Sequence, residues 1–191
     1  MNTLLKPRVL TQAIDEKRFA PDILRQVKSI ASQFQHKTGH IVLLTGESSS
    51  DNTLTAELLA TRVGHPVYRI DLAAVFSKYV GETQKNLAHA FEEAGSNNAI
   101  LLFDEADSLF GKRTEVNTAR DRYANQESSY LLERIEAYPG LVILTTNNRE
   151  DIDGALLRNV SWQVELNSPV LQTRFSLWQR ILNWLRKLRL K

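Results

Sequence analysis

Two stretches of this chain combine residue types that can do chemistry at a spacing that lets them act together. In Ala99-Ile100-Leu101-Leu102-Phe103-Asp104-Glu105-Ala106-Asp107, an apolar run ends in adjacent carboxylates. Carboxylates at the end of a buried strand are costly unless a cation or a proton-transfer task offsets their desolvation. In a sheet that hydrolyses nucleotides, the first acid helps to hold Mg2+ and the second polarises the attacking water. A solvated acidic loop end is the plainer alternative. The other stretch is Gly46-Glu47-Ser48-Ser49-Ser50-Asp51-Asn52-Thr53, after the apolar run Ile41-Val42-Leu43-Leu44. A phosphate-binding loop reads G-x-x-x-x-G-K-[ST]. Gly46 and Thr53 match it, Asp51 replaces the second glycine and Asn52 replaces the lysine. Taken alone, a Ser/Asp helix cap explains this stretch better.

The elements that must carry these residues alternate along the chain. Pro21 suits the first turn of a helix, and Ile23, Leu24, Val27, Ile30, Ala31 and Phe34 follow at helical spacing up to Gly39. Residues 41–45, 66–70, 99–103, 141–145 and 162–166 read as strands. Helical patterns cover Leu54 to Val63, Thr83 to Ala94, about 120 to 137, and Leu171 to about Leu188. Continuous apolar strands alternating with helices predict an α/β sandwich with a mainly parallel five-stranded sheet. Ligands of such sheets sit beyond the carboxyl ends of the strands. Three strands end in polar punctuation, Thr45-Gly46, Asp104-Glu105 and Thr146-Asn147, so these ends are expected along one edge.

Composition sets outer bounds. The 191 residues are 42% hydrophobic and 24% charged, which suits a folded domain with a sizeable core rather than long disorder. There are no cysteines, which excludes disulfides, thiolate metal sites and cysteine nucleophiles, and fits a cytoplasmic location. No apolar run is long enough for a membrane span, and the first residues lack a signal-peptide core. From Ser168 onward the chain holds six of its 24 basic residues and none of its 22 acids, leaving 18 basic against 22 acidic residues before it. The body is therefore no polycation, and specific nucleic-acid binding is not expected.

Two further stretches bring a resemblance. Val67-Tyr68-Arg69-Ile70-Asp71, Ser77-Lys78-Tyr79-Val80-Gly81-Glu82-Thr83-Gln84-Lys85-Asn86-Leu87 and Phe91-Glu92-Glu93-Ala94 resemble the AAA branch of the AAA+ ATPases. So does Leu141-Val142-Ile143-Leu144-Thr145-Thr146-Asn147-Asn148-Arg149 followed by Ile152-Asp153-Gly154-Ala155-Leu156-Leu157-Arg158. The resemblance covers about residues 20 to 182, with four motifs in register. More narrowly, Leu109 to Val116 and Asp121 to Asn125 resemble bacterial single-module AAA ATPases, some of which accompany contractile injection systems.

The resemblance implies a three-layer P-loop NTPase-like fold, ATP and Mg2+ as cofactors, and a role in protein remodelling. It implies a Walker B pair, with Asp104 holding the metal and Glu105 as catalytic base. Thr53 would be the metal-ligating hydroxyl of a phosphate loop formed by Gly46, Ser49, Ser50, Asn52 and Thr53. Asn147 matches the sensor that positions the attacking water. Arg158 matches an arginine finger directed at a neighbouring subunit, which implies a ring with copies of itself or a related AAA subunit. Tyr79, Val80 and Gly81 match the pore loop that grips a polypeptide substrate. The division implied is 1–40 for an N-terminal segment and leading helix, 41–168 for the α/β core, and 169–191 for the first helix of a truncated lid.

The departures from the family pattern bear on activity. A charge-assisted hydrogen bond lost with the lysine is worth roughly 1.5–3 kcal/mol. A carboxylate ~5 Å from a phosphate costs about 3 kcal/mol at an effective dielectric of ~20. Together they weaken nucleotide binding by about three orders of magnitude or more. A degenerate Walker A motif of this kind implies weak ATP binding and little hydrolysis. The alternative is a non-hydrolysing AAA-like scaffold subunit or truncated remnant.

Other chemistries fit less well. Gly46-Glu47-Ser48-Ser49-Ser50 lacks the closing glycine of a nucleophile elbow, and no histidine follows His89. His36 and His40 share helical spacing, but Gly39 interrupts it, so solvated histidines are the better reading than a metal pair. In the tail, Leu171, Phe175, Trp178, Ile181, Leu182 and Leu185 fall along one helical face, which suits core or partner contact. Trp178, Trp184 and Leu188 are expected to be partly exposed.

Overall fold

The five apolar segments form strands that run parallel to one another wherever they pair. In the computed structural model they are β2 (His40–Thr45), β3 (Val67–Ile70), β4 (Ile100–Phe103), β5 (Leu141–Thr146) and β6 (Trp162–Glu165). A further strand, β1 (Leu5–Arg8), pairs antiparallel with β3 and was not anticipated; Lys6-Pro7-Arg8 carries no apolar alternation to mark it. The six-stranded order is β1-β3-β4-β5-β2-β6. The structure describes residues 5–8, 14, 16, 19–35, 38–70, 82–110 and 119–166. The expected pore loop Tyr79-Val80-Gly81, the stretch 111–118 and the tail helix 171–188 lie outside the described residues.

The helices are α1 (Pro21–Gln33), α2 (Ser49–Val63), α3 (Glu82–Ser96), α4 (Asp107–Phe110), α5 (Ala119–Glu136) and α6 (Gly154–Leu157). Successive strand residues point to opposite faces, and this sorts the core into two layers. Ile41 and Leu43 face Leu87, Phe91, Leu131 and Ile135 of α3 and α5. Val42 and Leu44 face Ile23, Val27, Leu58 and Leu59 of α1 and α2. Every residue of β4 and β5 is buried, as strands covered on both faces must be.

The topology also sets where a site can lie. The chain runs outward from β2 to β3, returns through β4 and β5, then crosses to β6 on the other side of β2. Ligands of open α/β sheets bind at such a switch point, beyond the carboxyl ends of the strands. Thr45 pairs with Thr146 and Phe103 with Leu144, so Gly46, Asp104 and Asn147 follow the ends of adjacent strands along one edge.

Candidate functional site

The loop after β2 is shorter than the sequence pattern suggests. The helical reading began at Leu54, whereas α2 begins at Ser49 and leaves only Gly46-Glu47-Ser48 between strand and helix. Ser48 is the N-cap, and its hydroxyl accepts from the Asp51 N–H at 3.3 Å. The Ser48 carbonyl accepts from the N–H groups of both Asp51 and Asn52 at 3.0 Å. Ser48 and Asp51 have the spacing of a capping box, in which an acid in the first turn also complements the helix dipole. Thus the carboxylate that would repel a phosphate favours the helical form.

Asn52 does not project into solvent as a phosphate-clamping side chain would. It is 1% exposed and folds under the loop. Its Nδ2 donates to the Gly46 carbonyl at 3.0 Å and to the Thr146 carbonyl at 3.3 Å. Its Oδ1 is buried without a hydrogen-bond partner. A Cβ on Gly46 would meet Leu166 Cβ at 2.9 Å and Asn52 Oδ1 at 3.0 Å, so only glycine lets the loop close this tightly. The Thr53 hydroxyl donates to the Ser49 carbonyl at 2.9 Å. Ser50 lies 2.9 Å from Ser48, hydroxyl to hydroxyl.

The acidic turn after β4 is organised by β5. Thr145, 3% exposed, donates its hydroxyl proton to Asp104 Oδ1 at 3.1 Å and accepts from the Glu105 N–H at 3.2 Å. Glu105 sits at φ 55°, a left-handed conformation that costs a non-glycine residue roughly 1 kcal/mol or more. Its side chain is exposed. The Thr146 hydroxyl lies 2.9 Å from Asp107 Oδ1 and 3.1 Å from the Asn148 carbonyl, and accepts from the Asn148 N–H at 3.3 Å. On the other side, Arg69 Nε lies 2.6 Å from Asp104 Oδ2. That oxygen is buried and makes no hydrogen bond, so the contact is an ion pair whose direction is not that of a hydrogen bond.

Asn147 is exposed, and its Oδ1 accepts from Ser49 Oγ at 3.4 Å, joining the two halves of the edge. Arg158 is exposed at the C-terminal cap of α6 and directed to none of these groups by any hydrogen bond among the described residues. Sequence reasoning missed Arg69, Thr145, Thr146 and Asp107 as parts of the site. A threonine pair closing a buried strand, opposite two acids, was the available signal.

These contacts bear on whether ATP and Mg2+ fit. A phosphate cradle needs backbone N–H groups free to face the ligand, and those of Asp51 and Asn52 are engaged by Ser48. Asn52 fills the space beneath the loop, and Asp104 is already paired with a cation. In this arrangement the Asp51 and Asn52 N–H groups, the Asn52 amide and the Asp104 carboxylate are all engaged within the protein. Among the described residues there is no cluster of three or more metal-ligating side chains.

Comparison with known proteins agrees with the resemblance. Residues 42–170 match the model of the "ATPase family associated with various cellular activities (AAA)". The Cell division cycle protein 48 homolog of Archaeoglobus fulgidus is 35% identical over 132 residues, covering 67% of this chain and 18% of that protein. An uncharacterized AAA family ATPase of Sinorhizobium fredii is 30% identical over 153 residues, covering 79% of this chain and 43% of that protein. A 26S proteasome regulatory subunit, 10B homolog A of Arabidopsis thaliana, is 27% identical over 143 residues, covering 71% of this chain and 36% of that protein. The chain thus spans less than half the length of these relatives. A chain in the E. coli MS115-1 HORMA:CdnC:Trip13 complex shares the fold with a TM-score of 0.55 and 21% identity, over 70% of this chain and 50% of that one. With this fold, and with a family match over most of its length, the chain belongs to the AAA family of ATPases.

Proposed function

We propose that this chain is an AAA module that keeps the family's architecture and subunit contacts while binding ATP weakly and turning it over near background. The observation that carries this reading is the closed phosphate loop: α2 starts at Ser49, and the buried Asn52 amide ties Gly46 to Thr146. Opening that loop for a phosphate requires breaking the Ser48 cap and releasing Asn52 from two carbonyl groups. No lysine is there to reward the opening. The module then acts as a scaffold-like subunit in a ring with a related AAA subunit, on a polypeptide substrate, in the cytoplasm. Exposed Arg158 supports a contribution across a subunit boundary. Titration calorimetry with ATP, with and without Mg2+, tests the reading. No heat of binding below ~100 μM supports it, and binding at ~10 μM or tighter overturns it.

A second reading, a slow but active ATPase, is favoured by the acids. Asp104, Glu105 and Asn147 follow adjacent strand ends, and Thr145 holds the first two in place. On that reading Glu105 is the base, Thr53 and Asp104 hold the metal, and Gly46, Ser49, Ser50 and Asn52 form the phosphate loop after rearrangement. Glu105→Gln separates the two: it abolishes any residual turnover of an active enzyme and changes nothing in the scaffold.

A further inference from the structure

We propose that Arg69 is the resident cation of the acidic turn, paired with the carboxylate that on the family resemblance would hold a metal ion. The proposal rests on the reading that Asp104 corresponds to the family's metal acid. Three observations carry it. First, strand register puts the two residues together: Arg69 of β3 pairs with Leu102 of β4, so Asp104 is its diagonal neighbour, two residues on and on the same face. Second, both carboxylate oxygens are engaged, Oδ1 by the Thr145 hydroxyl at 3.1 Å and Oδ2 by Arg69 Nε at 2.6 Å. Third, Oδ2 is buried and has no hydrogen bond, so the guanidinium charge is what compensates it.

A guanidinium stays charged at every working pH, and it is more weakly hydrated than an ammonium group. It therefore neutralises Asp104 permanently. A divalent ion arriving at Oδ2 would meet a fixed positive charge and lose the open carboxylate that Mg2+ uses as an anchor. Arg69 also has room to move, since its side chain is 52% exposed against 15% for Asp104. Removing the arginine, rather than any rearrangement of the loop after β2, should therefore expose the acid to metal.

The test uses Mn2+ alone, without nucleotide, followed by the loss of its free-ion paramagnetic resonance signal on the full chain. The unaltered protein and Arg69→Lys should leave the signal unchanged to ~1 mM, the weak end of oxygen-ligand sites. Arg69→Met should tighten Mn2+ binding by at least ~10-fold, and adding Asp104→Asn should return it to the starting level. Arg69→Gln serves if the methionine variant does not fold. Mn2+ binding by the unaltered chain that Asp104→Asn abolishes would overturn the proposal. So would Arg69→Met and Arg69→Gln variants that fold and gain no binding. The result is independent of the loop: ATP binding by the unaltered chain would refute the closed-loop reading and leave Arg69 in place, and a pre-existing Mn2+ site would do the reverse.

Discussion

At residues 46–53 the hydrogen bonds that start the helix close within the segment, from Asp51 and Asn52 back to Ser48 and from Thr53 back to Ser49, while Gly46, Ser49 and Asn52 also reach Thr146 and Asn147. At residues 104–107 they cross to another strand, through Thr145 and Thr146 of β5. Both segments sit at the same edge and follow buried strands. The difference is one of alternatives. A segment after a strand can cap its own helix whenever serine and aspartate are available. Carboxylates at a buried strand end have no local donor, so a neighbouring strand must supply one. In the first segment Ser48 caps a helix that begins at Ser49, with Asp51 in its first turn. In the second, Asp104 and Asp107 are held by the Thr145 and Thr146 hydroxyls of β5.

The largest effect expected is on the first segment. Asp51→Gly with Asn52→Lys removes the capping acid, frees the buried amide site and restores the charge. ATP affinity should rise by about three orders of magnitude, measured by calorimetry. No gain would mean that the loop is closed by more than these two residues.

The acidic turn should be the more fragile of the two in stability. Thr145→Val removes the donor to Asp104 and the acceptor for Glu105 while keeping the shape, and should cost about 1–3 kcal/mol in urea unfolding. Thr145→Ser should recover most of that. Ser48→Ala removes only a cap, worth about 1 kcal/mol, and Ser48→Gly only a few tenths. If Ser48→Ala proves costlier than Thr145→Val, the order drawn here between local and cross-strand support is reversed.

The smallest effect lies at the opposite edge of the sheet, where His40 contacts Trp162 with ring centroids 4.7 Å apart and Phe34 at 5.8 Å. Burial lowers its pKa from 6.5. The unfolded chain then binds the proton more readily, so this contribution to stability is full above 6.5 and is lost as pH falls through the lower folded value. His40→Gln should flatten the acid limb of a stability–pH curve near that point and leave ATP binding unchanged at both segments.

Much of the fold was legible because it rests on local patterns. The continuous apolar runs at 41–44, 100–103 and 141–144 read as strands covered on both faces, and the helices between them argue for a parallel sheet. β1 was not legible, since Lys6-Pro7-Arg8 carries no pattern and its pairing with β3 is a tertiary contact. Of the site, the sequence determined which residues follow the strand ends, and hence the edge where chemistry would gather. It left open whether Gly46 to Thr53 is a phosphate loop or a capped helix, because both use the same residue types. Only the tertiary structure decided where the helix starts, at Ser49 under the Ser48 cap. The deciding contact, the Asn52 amide on the Thr146 carbonyl, joins residues 94 positions apart. The pairing of Arg69 with Asp104 likewise depends on strand register, which the linear pattern does not encode.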